Sequence, residues 1–266
     1  RILGPQLKIS FFRLFASVLL ALSFSAAAQP AAAPAAPPVY ALLSLIGDKL
    51  DIVIAQPQTG TLVDRNRHEP LPIADAVFDN TAISSAGEAI RRSIPKAELA
   101  ALNSRSPVLF DRQRTLFVEK DSILQVPEAI MDAIRAQQAT HFVLISKHRD
   151  EARLQFYGNS DGGGRLEGLG FYLDGGTVVT DSSSGESGRG YIAPFAYFSV
   201  TLADAKTMKI LGRKSVTAST TISSARALED RASPWQALSA AEKVSIINRL
   251  IQREVGRVMR ELMRGG

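Results

Sequence analysis

The chain of 266 residues contains no cysteine, three histidines and one tryptophan. Without a thiol there can be no thiolate nucleophile and no cysteine-ligated zinc. The same absence leads us to expect a mature N-terminus that is not lipid-anchored through cysteine. A domain of roughly 200 residues does not need disulfides to stabilise its core. The lack of cysteine is therefore compatible with location in an oxidising compartment.

The excess of positive charge is small over most of the chain. The formal net charge is +5, and Arg1, Lys8 and Arg13 precede residue 29 with no acid among them. Residues 29–266 therefore carry 28 basic and 26 acidic side chains. So balanced a composition is not typical of a nucleic-acid-binding protein, and we expect no nucleic-acid partner.

Sequence signatures of cofactor sites are incomplete. The glycine-rich stretch NSDGGGRLEGLGFYLDGG (159–176) has Leu173 where a G-x-G-x-x-G fingerprint needs its last glycine, and the strand-like run FYL follows GLG. A phosphate-binding loop needs a helix N-terminus at that point. We therefore predict no nucleotide or other cofactor site in this stretch.

Catalytic and metal motifs are incomplete in the same way. Pro70 directly after His68-Glu69 is incompatible with a metal-binding H-E-x-x-H helix. His141 and His148 are seven residues apart, so on one strand they would face opposite sides. We predict no metal ligands and no catalytic residues, although a dispersed Ser/His/Asp site remains open because triads form in space.

The N-terminal residues have the pattern of a secretory signal peptide (1–28). A basic segment, RILGPQLKISFFR, precedes the apolar run LFASVLLALSFSA, and small residues at 26–28 form a cleavage site. The alternative is an uncleaved membrane anchor, for which the apolar run is short. The Ala/Pro-rich segment QPAAAPAAPP (29–38) then predicts an extended spacer.

Residues 39–266 predict a single domain of the mixed α/β class. We expect a mixed sheet with hairpins, two helices packed on it and a long C-terminal helix. The predicted elements are a hairpin around Gly47-Asp48, a helix beginning near Asp79, short strands at 107–110 and 115–119, a central strand at 141–148, a hairpin over 191–220 and a Gly/Ser-rich excursion at 158–190 that links strands.

The C-terminal helix has two opposed stripes. Ser239 and Glu242 form a capping-box pattern at its start. Apolar residues at three- and four-residue spacing form one stripe, and the other consists of Arg249, Arg253, Arg257, Arg260 and Arg264. The arginines predict either a contact surface for an anionic lipid or polymer or an ordinary solvated face, which Glu254 and Glu261 partly neutralise.

Two short motifs resemble a group of periplasmic α/β domains. Ala139-Thr140-His141 precedes an apolar strand, and Asp204-Ala205-Lys206-Thr207 forms a hairpin turn. This order of elements over residues 79–220 resembles the curli-secretion channel lipoproteins, the lipoprotein activators of penicillin-binding proteins and the N-terminal domain of the Tol translocation protein. The lipoproteins of that group need a cysteine that this chain lacks. The resemblance implies a non-catalytic envelope protein, and no functional residue carries over.

Together these features predict an exported, periplasmic, non-enzymatic accessory or binding domain of the cell envelope. The expected partner is another envelope protein, and the second possibility is an anionic lipid or polymer. Two alternatives stay open: a periplasmic hydrolase with a dispersed site, and a peripheral membrane protein that uses the arginine stripe.

Overall fold

A computed structural model describes residues 36–56, 65–154, 162–180, 185, 187–223 and 233–265. The chain divides into two units, Arg1–Ala36 and Pro37–Gly266. All the described residues except Ala36 belong to the second unit. The predicted signal peptide (1–28) and most of the spacer (29–38) lie outside the described residues.

The elements confirm a mixed α/β fold. The strands are β1 (Val39–Leu45), β2 (Lys49–Ile54), β3 (Arg67–Pro72), β4 (Glu98–Leu102), β5 (Glu119–Lys120), β6 (Ile123–Leu124), β7 (His141–Lys147), β8 (Arg149–Glu151), β9 (Arg165–Thr180), β10 (Ser187–Asp204), β11 (Ile210–Ser219) and β12 (Ile222–Ser223). The helices are α1 (Val77–Ser93), α2 (Pro107–Asp111), α3 (Gln113–Leu116), α4 (Glu128–Ala136) and α5 (Ala240–Arg264), with a 3₁₀ turn at Pro234–Ala237.

Strand β10 organises the main sheet. Its first part (187–197) pairs with β9 and its second part (198–204) pairs with β7, both antiparallel. Strand β11 pairs along the opposite side of β10, so β7 and β9 follow one another along the same side. Strand β1 is parallel to β7, and β2 is parallel to β9. The strands β4 and β3 complete this side as partners of β1 and β2.

The predicted hairpin around Gly47-Asp48 is wrong, because β1 and β2 have different neighbours and continue end to end through a bend. Asp79, in the first turn of α1, clamps this bend with one carboxylate oxygen. Its Oδ1 accepts from Ser44 Oγ at 2.6 Å, from the Ile46 amide at 2.9 Å and from the Gly47 amide at 3.2 Å. A Cβ on Gly47 would stand 2.6 Å from Asp79 Oδ2, so the clamp requires glycine there.

The opposite side of the bend is held by Lys147 and Gln113. Lys147 Nζ lies 2.5 Å from Asp48 Oδ1, and the lysine side chain is 7% exposed. The Gln113 amide donates to Leu45 O at 3.1 Å and to Phe110 O at 2.7 Å, and its oxygen accepts from the Lys147 amide at 2.7 Å. Polar groups with little exposure therefore hold β7 and β9 together at the place where the two strands meet along β10.

The segment 107–116 is helical, and the strands predicted at 107–110 and 115–119 are wrong except for the short β5. Pro107 stands at the first position of α2, which suits its fixed φ. The apolar run was too short for its period to separate strand from helix. Tertiary contacts of Gln113 in α3 favour the helix.

The glycine-rich excursion predicted at 158–190 contains regular structure. Residues 165–180 form β9, and β10 begins at 187. Gly170 is needed by packing, because a Cβ there would stand 2.0 Å from Asp51 O and 2.6 Å from the ring of Phe195. Gly170 therefore allows close strand packing and does not mark a loop.

Two helical layers cover the sheet. Helices α1 and α5 lie on one face, where Leu42 and Ile145 belong to the larger core cluster. Helices α2, α3 and α4 lie on the other face, where Leu43 and Leu144 belong to the second cluster. Adjacent residues of β1 and β7 thus enter opposite cores, as expected for central strands buried on both sides.

Helix α5 confirms the predicted long C-terminal helix. Ser239 and Glu242 form the predicted capping box. The apolar stripe packs into the core through Ile247, Ile251, Val255, Val258 and Leu262. Val244, which the pattern also placed in this stripe, is 39% exposed.

Candidate functional site

A groove of about 720 Å³ lies between α1 and α5 on the outer side of this helical layer. Its lining is predominantly polar. The lining residues are Val77, Asn80, Thr81, Ser84, Ser85, Glu88, Ala89 and Arg92 from α1, and Gln252, Arg253, Gly256 and Arg260 from α5.

Small side chains on both helices create the groove. Helix α1 presents Ser84, Ser85 and Ala89, and α5 presents Gly256 opposite them. The helices are tied together by Thr81 Oγ1, which lies 2.8 Å from Asn248 Oδ1. Because the facing side chains are short, space remains between helices that share one core.

Some groove hydroxyls are occupied by their own helix. Thr81 Oγ1 lies 2.8 Å from Val77 O, and Ser85 Oγ donates to Thr81 O at 2.7 Å. Such bonds to carbonyls one turn back are common for serine and threonine inside helices. The hydroxyl protons of both residues are therefore already engaged.

Four exposed lining side chains keep their donors available. Within the described part of the chain, the side chains of Asn80, Ser84, Gln252 and Arg260 make no hydrogen bond or ion pair. Two amides, a hydroxyl and a guanidinium group supply N–H and O–H donors, and the guanidinium group carries a permanent charge. These donors are the groups through which the groove can hold a ligand.

The net charge of the lining is positive. Three arginines and one glutamate contribute to it. Arg92 Nη2 lies 3.0 Å from Glu88 Oε2, and Arg253 Nε donates to Glu254 Oε1 at 2.7 Å. Each of these guanidinium groups has further N–H donors beyond the one engaged. The groove therefore favours an anionic, acceptor-rich ligand.

The arginines of the predicted stripe have three different environments: some line the groove, one is paired with glutamates, and the others lie outside the groove. Arg253 and Arg260 line the groove. Arg257 donates to Glu254 at 2.9 Å and to Glu261 at 2.8 Å, and the hydrogen bond with Glu254 is the main cause that raises its pKa.

The two remaining stripe residues, Arg249 and Arg264, are exposed and lie outside the groove. The contact of the whole stripe with an anionic surface stays a prediction. None of the helices in the described ranges is long and apolar enough to cross a membrane.

The three histidines lie apart from one another and outside the groove. His68 Nδ1 lies 2.7 Å from Asp51 Oδ2, and His148 Nε2 lies 3.9 Å from Asp150 Oδ2. His141 stacks on the Tyr40 ring at 4.5 Å, and burial lowers the pKa of its imidazole.

Neither a metal cluster nor a histidine beside the groove serines is found where the structure describes the chain. No group of three or more His, Asp or Glu residues there could hold a metal ion. The groove serines therefore have no imidazole neighbour among the described lining residues.

Comparison with known proteins gives no family. No protein-family model matches the chain, and no curated protein matches it. A Xanthomonas campestris protein of the DUF330 family is similar with a TM-score of 0.36 and 9% identity, over 88% of this chain and 90% of that one. A Helicobacter pylori homolog of a neuraminyllactose-binding hemagglutinin has a TM-score of 0.35 and 8% identity, over 86% of this chain and 82% of that one.

A PelC variant from Paraburkholderia phytofirmans that forms a dodecamer has a TM-score of 0.29 and 11% identity, over 83% of this chain and 89% of that one. TM-scores this low do not bear on function. The resemblance to the periplasmic lipoprotein and Tol group stays a prediction.

Sequence reasoning missed the α1 side of the groove. The helix predicted near Asp79 contains Asn80 and Ser84, but its capping pattern and apolar spacing indicate no binding role for them. On α5 the pattern singles out the arginines and not Gln252. Two features of the sequence coincide with the groove: three hydroxyl side chains within residues 81–85 of α1, and Gly256 inside the long helix α5. Neither feature indicates, from the sequence alone, that α1 and α5 are neighbours.

Proposed function

We propose that the protein is exported to the periplasm and acts there as a non-enzymatic binding or accessory domain of the cell envelope. The groove between α1 and α5 is its binding surface. The observation that carries this proposal is the set of four unengaged donor side chains that line one polar, positively charged groove.

Export is supported by the order of segments at the N-terminus. A basic segment, an apolar run and small residues at 26–28 are followed by an Ala/Pro-rich spacer. The spacer would separate the folded domain from the cleavage site or from a surface.

Binding without catalysis is supported by the chemistry of the lining. A volume of about 720 Å³ is within the usual range for small-ligand sites. Ser84 has no histidine beside it among the described lining residues, and Glu88, one turn further along α1, is engaged by Arg92. A nucleophilic serine needs an adjacent base, so this arrangement fits the holding of a ligand better than its cleavage.

Export is tested by expressing the full chain with a C-terminal tag in a Gram-negative host. We expect the protein in the osmotic-shock fraction, with an intact mass that corresponds to a start at Gln29 or within a few residues of it. A variant with Ala26→Arg and Ala28→Arg should accumulate uncleaved, because small side chains at these positions are needed for cleavage. Full-length parent protein in the cytosol would contradict the proposal.

A further inference from the structure

We propose that the α1–α5 groove binds an acidic saccharide, meaning a polyhydroxylated ligand that carries a phosphate or carboxylate group. This inference rests on the proposed function, because it names the ligand class of that same groove. It is carried by the position of Arg260, by the glycine beneath it and by the neutral polar groups around it.

Arg260 provides the anion-binding group. It is exposed, lines the groove and has no ion-pair partner among the described residues. A guanidinium group offers paired N–H donors that match the two oxygens of a carboxylate or phosphate. The neighbouring arginines 92 and 253 add positive charge, although each is already bound to a glutamate.

Gly256 leaves open space in the groove beside Arg260. Glycine inside a helix is unfavourable relative to alanine, so a packing reason is usually found for it. At Gly87 that reason is present, since a Cβ would stand 2.7 Å from Leu99 Cδ1. At Gly256 an added Cβ would meet only Arg260 Nη1, at 3.4 Å. Core packing therefore does not require this glycine, whereas a longer side chain there would fill the groove beside the guanidinium group.

The remaining free groups suit a polyol. The amides of Asn80 and Gln252 both donate and accept hydrogen bonds, and so does the Ser84 hydroxyl. Sugar hydroxyl groups have the same double capacity. Among the residues that the structure describes, none with an aromatic ring lines the groove, so a nucleobase would find no stacking partner there. Among small anionic ligands, a charged sugar thus matches the described lining better than a nucleotide.

Isothermal titration calorimetry on the mature protein tests this assignment. The probes are glucuronate and glucose 6-phosphate, with glucose and inorganic phosphate as the partial ligands. We expect saturable binding of at least one acidic sugar, and about tenfold or more weaker binding of glucose, because it lacks the charged group. Inorganic phosphate should also bind more weakly, because it lacks the hydroxyl contacts.

Matched variants locate the binding. Arg260→Gln and Gly256→Leu should each weaken binding of the acidic sugar by about tenfold or more. Arg249→Gln is the control, because it removes an arginine from the same stripe outside the groove. Circular dichroism of each variant checks that the fold is intact. Equal weakening by Arg249→Gln and Arg260→Gln would show a diffuse charge effect and would overturn the assignment.

Vesicles separate a free sugar from a lipid head group. The protein is sedimented with neutral vesicles and with vesicles that contain phosphatidylglycerol. Binding of anionic vesicles without binding of either acidic sugar would overturn the inference in favour of a membrane surface. Binding of no probe would also overturn it, yet an exported, cleaved protein would leave the proposed function standing.

Discussion

Replacement of Asp79 should expose how the strand bend between β1 and β2 is held. Asp79→Ala removes the one oxygen that accepts from Ser44 Oγ and from the amides of Ile46 and Gly47. The serine hydroxyl can rotate to another acceptor, but the two amides cannot. A buried donor left without a partner costs about 1–3 kcal/mol, so we expect a loss of about 2–6 kcal/mol in the free energy of unfolding.

The pH dependence of the free energy of unfolding tests the role of Asp79 independently. Burial is the main cause that raises the pKa of Asp79 above 3.8, and the three hydrogen bonds only partly oppose it. Between that value and the higher pKa, the folded protein holds a proton that the unfolded chain has released. The part of the stability that comes from this extra proton is therefore largest below 3.8 and is lost as the pH rises through the folded pKa, whereas the hydrogen bonds that Asp79 accepts persist at pH 7.

Asp79→Asn separates these two effects. Asparagine keeps the accepting oxygen and removes the charge, so this variant should stay within about 1 kcal/mol of the parent at pH 7. In this variant the free energy of unfolding should also lack the pH dependence that the titration of Asp79 causes in the parent.

Urea unfolding followed by far-UV circular dichroism measures these differences at pH 7 and at several acidic values. Asp75→Ala is the surface control and should stay within about 0.5 kcal/mol of the parent. The reasoning is refuted if Asp79→Ala is as stable as that control, or if alanine and asparagine destabilise equally.

Three further predictions concern α5, each measured by urea unfolding at pH 7. Ile251→Ala should cost about 2–5 kcal/mol because the side chain is fully buried, and a cost below 1 kcal/mol would contradict the docking of this helix. The double variant Arg253→Gln and Arg257→Gln should lose more than about 1 kcal/mol, because Glu254 is 8% exposed and would lose both partners. Adding Glu254→Gln to the double variant should recover part of that loss. If it does not, the unpaired charge of Glu254 is not the reason for the loss. Gly256→Ala should raise stability by about 0.5–1 kcal/mol, and a loss would reveal a packing need that the structure does not show.

The sequence predicts elements whose pattern is local and long. The run FVLI within β7 indicates a strand buried on both faces, and the spacing of apolar residues in α5 indicates its core-facing side. The capping box at Ser239 also depends only on neighbouring residues. In each case the signal and the structure lie within one element, so tertiary contacts did not change the outcome.

The errors arise where distant contacts decide. Gly47-Asp48 between two apolar runs fits a hairpin as well as a bend, and only the clamp by Asp79 from α1 selects the bend. Gly170 looked like a loop residue because sequence does not show its close contact with Asp51. The groove is invisible for the same reason, since Thr81 and Asn248 meet only in the folded chain.

The most direct test of the binding account is a two-dimensional ¹H–¹⁵N NMR titration of the protein, expressed from Gln29 onward, with glucuronate and with glucose 6-phosphate. The account predicts saturable shifts at the amides of Ser84 and Gly256 and at the Arg260 side chain. The same titration of Gly256→Leu should show no such shifts in the groove. Shifts confined to residues away from α1 and α5, or spread evenly over all exposed arginines, would contradict it.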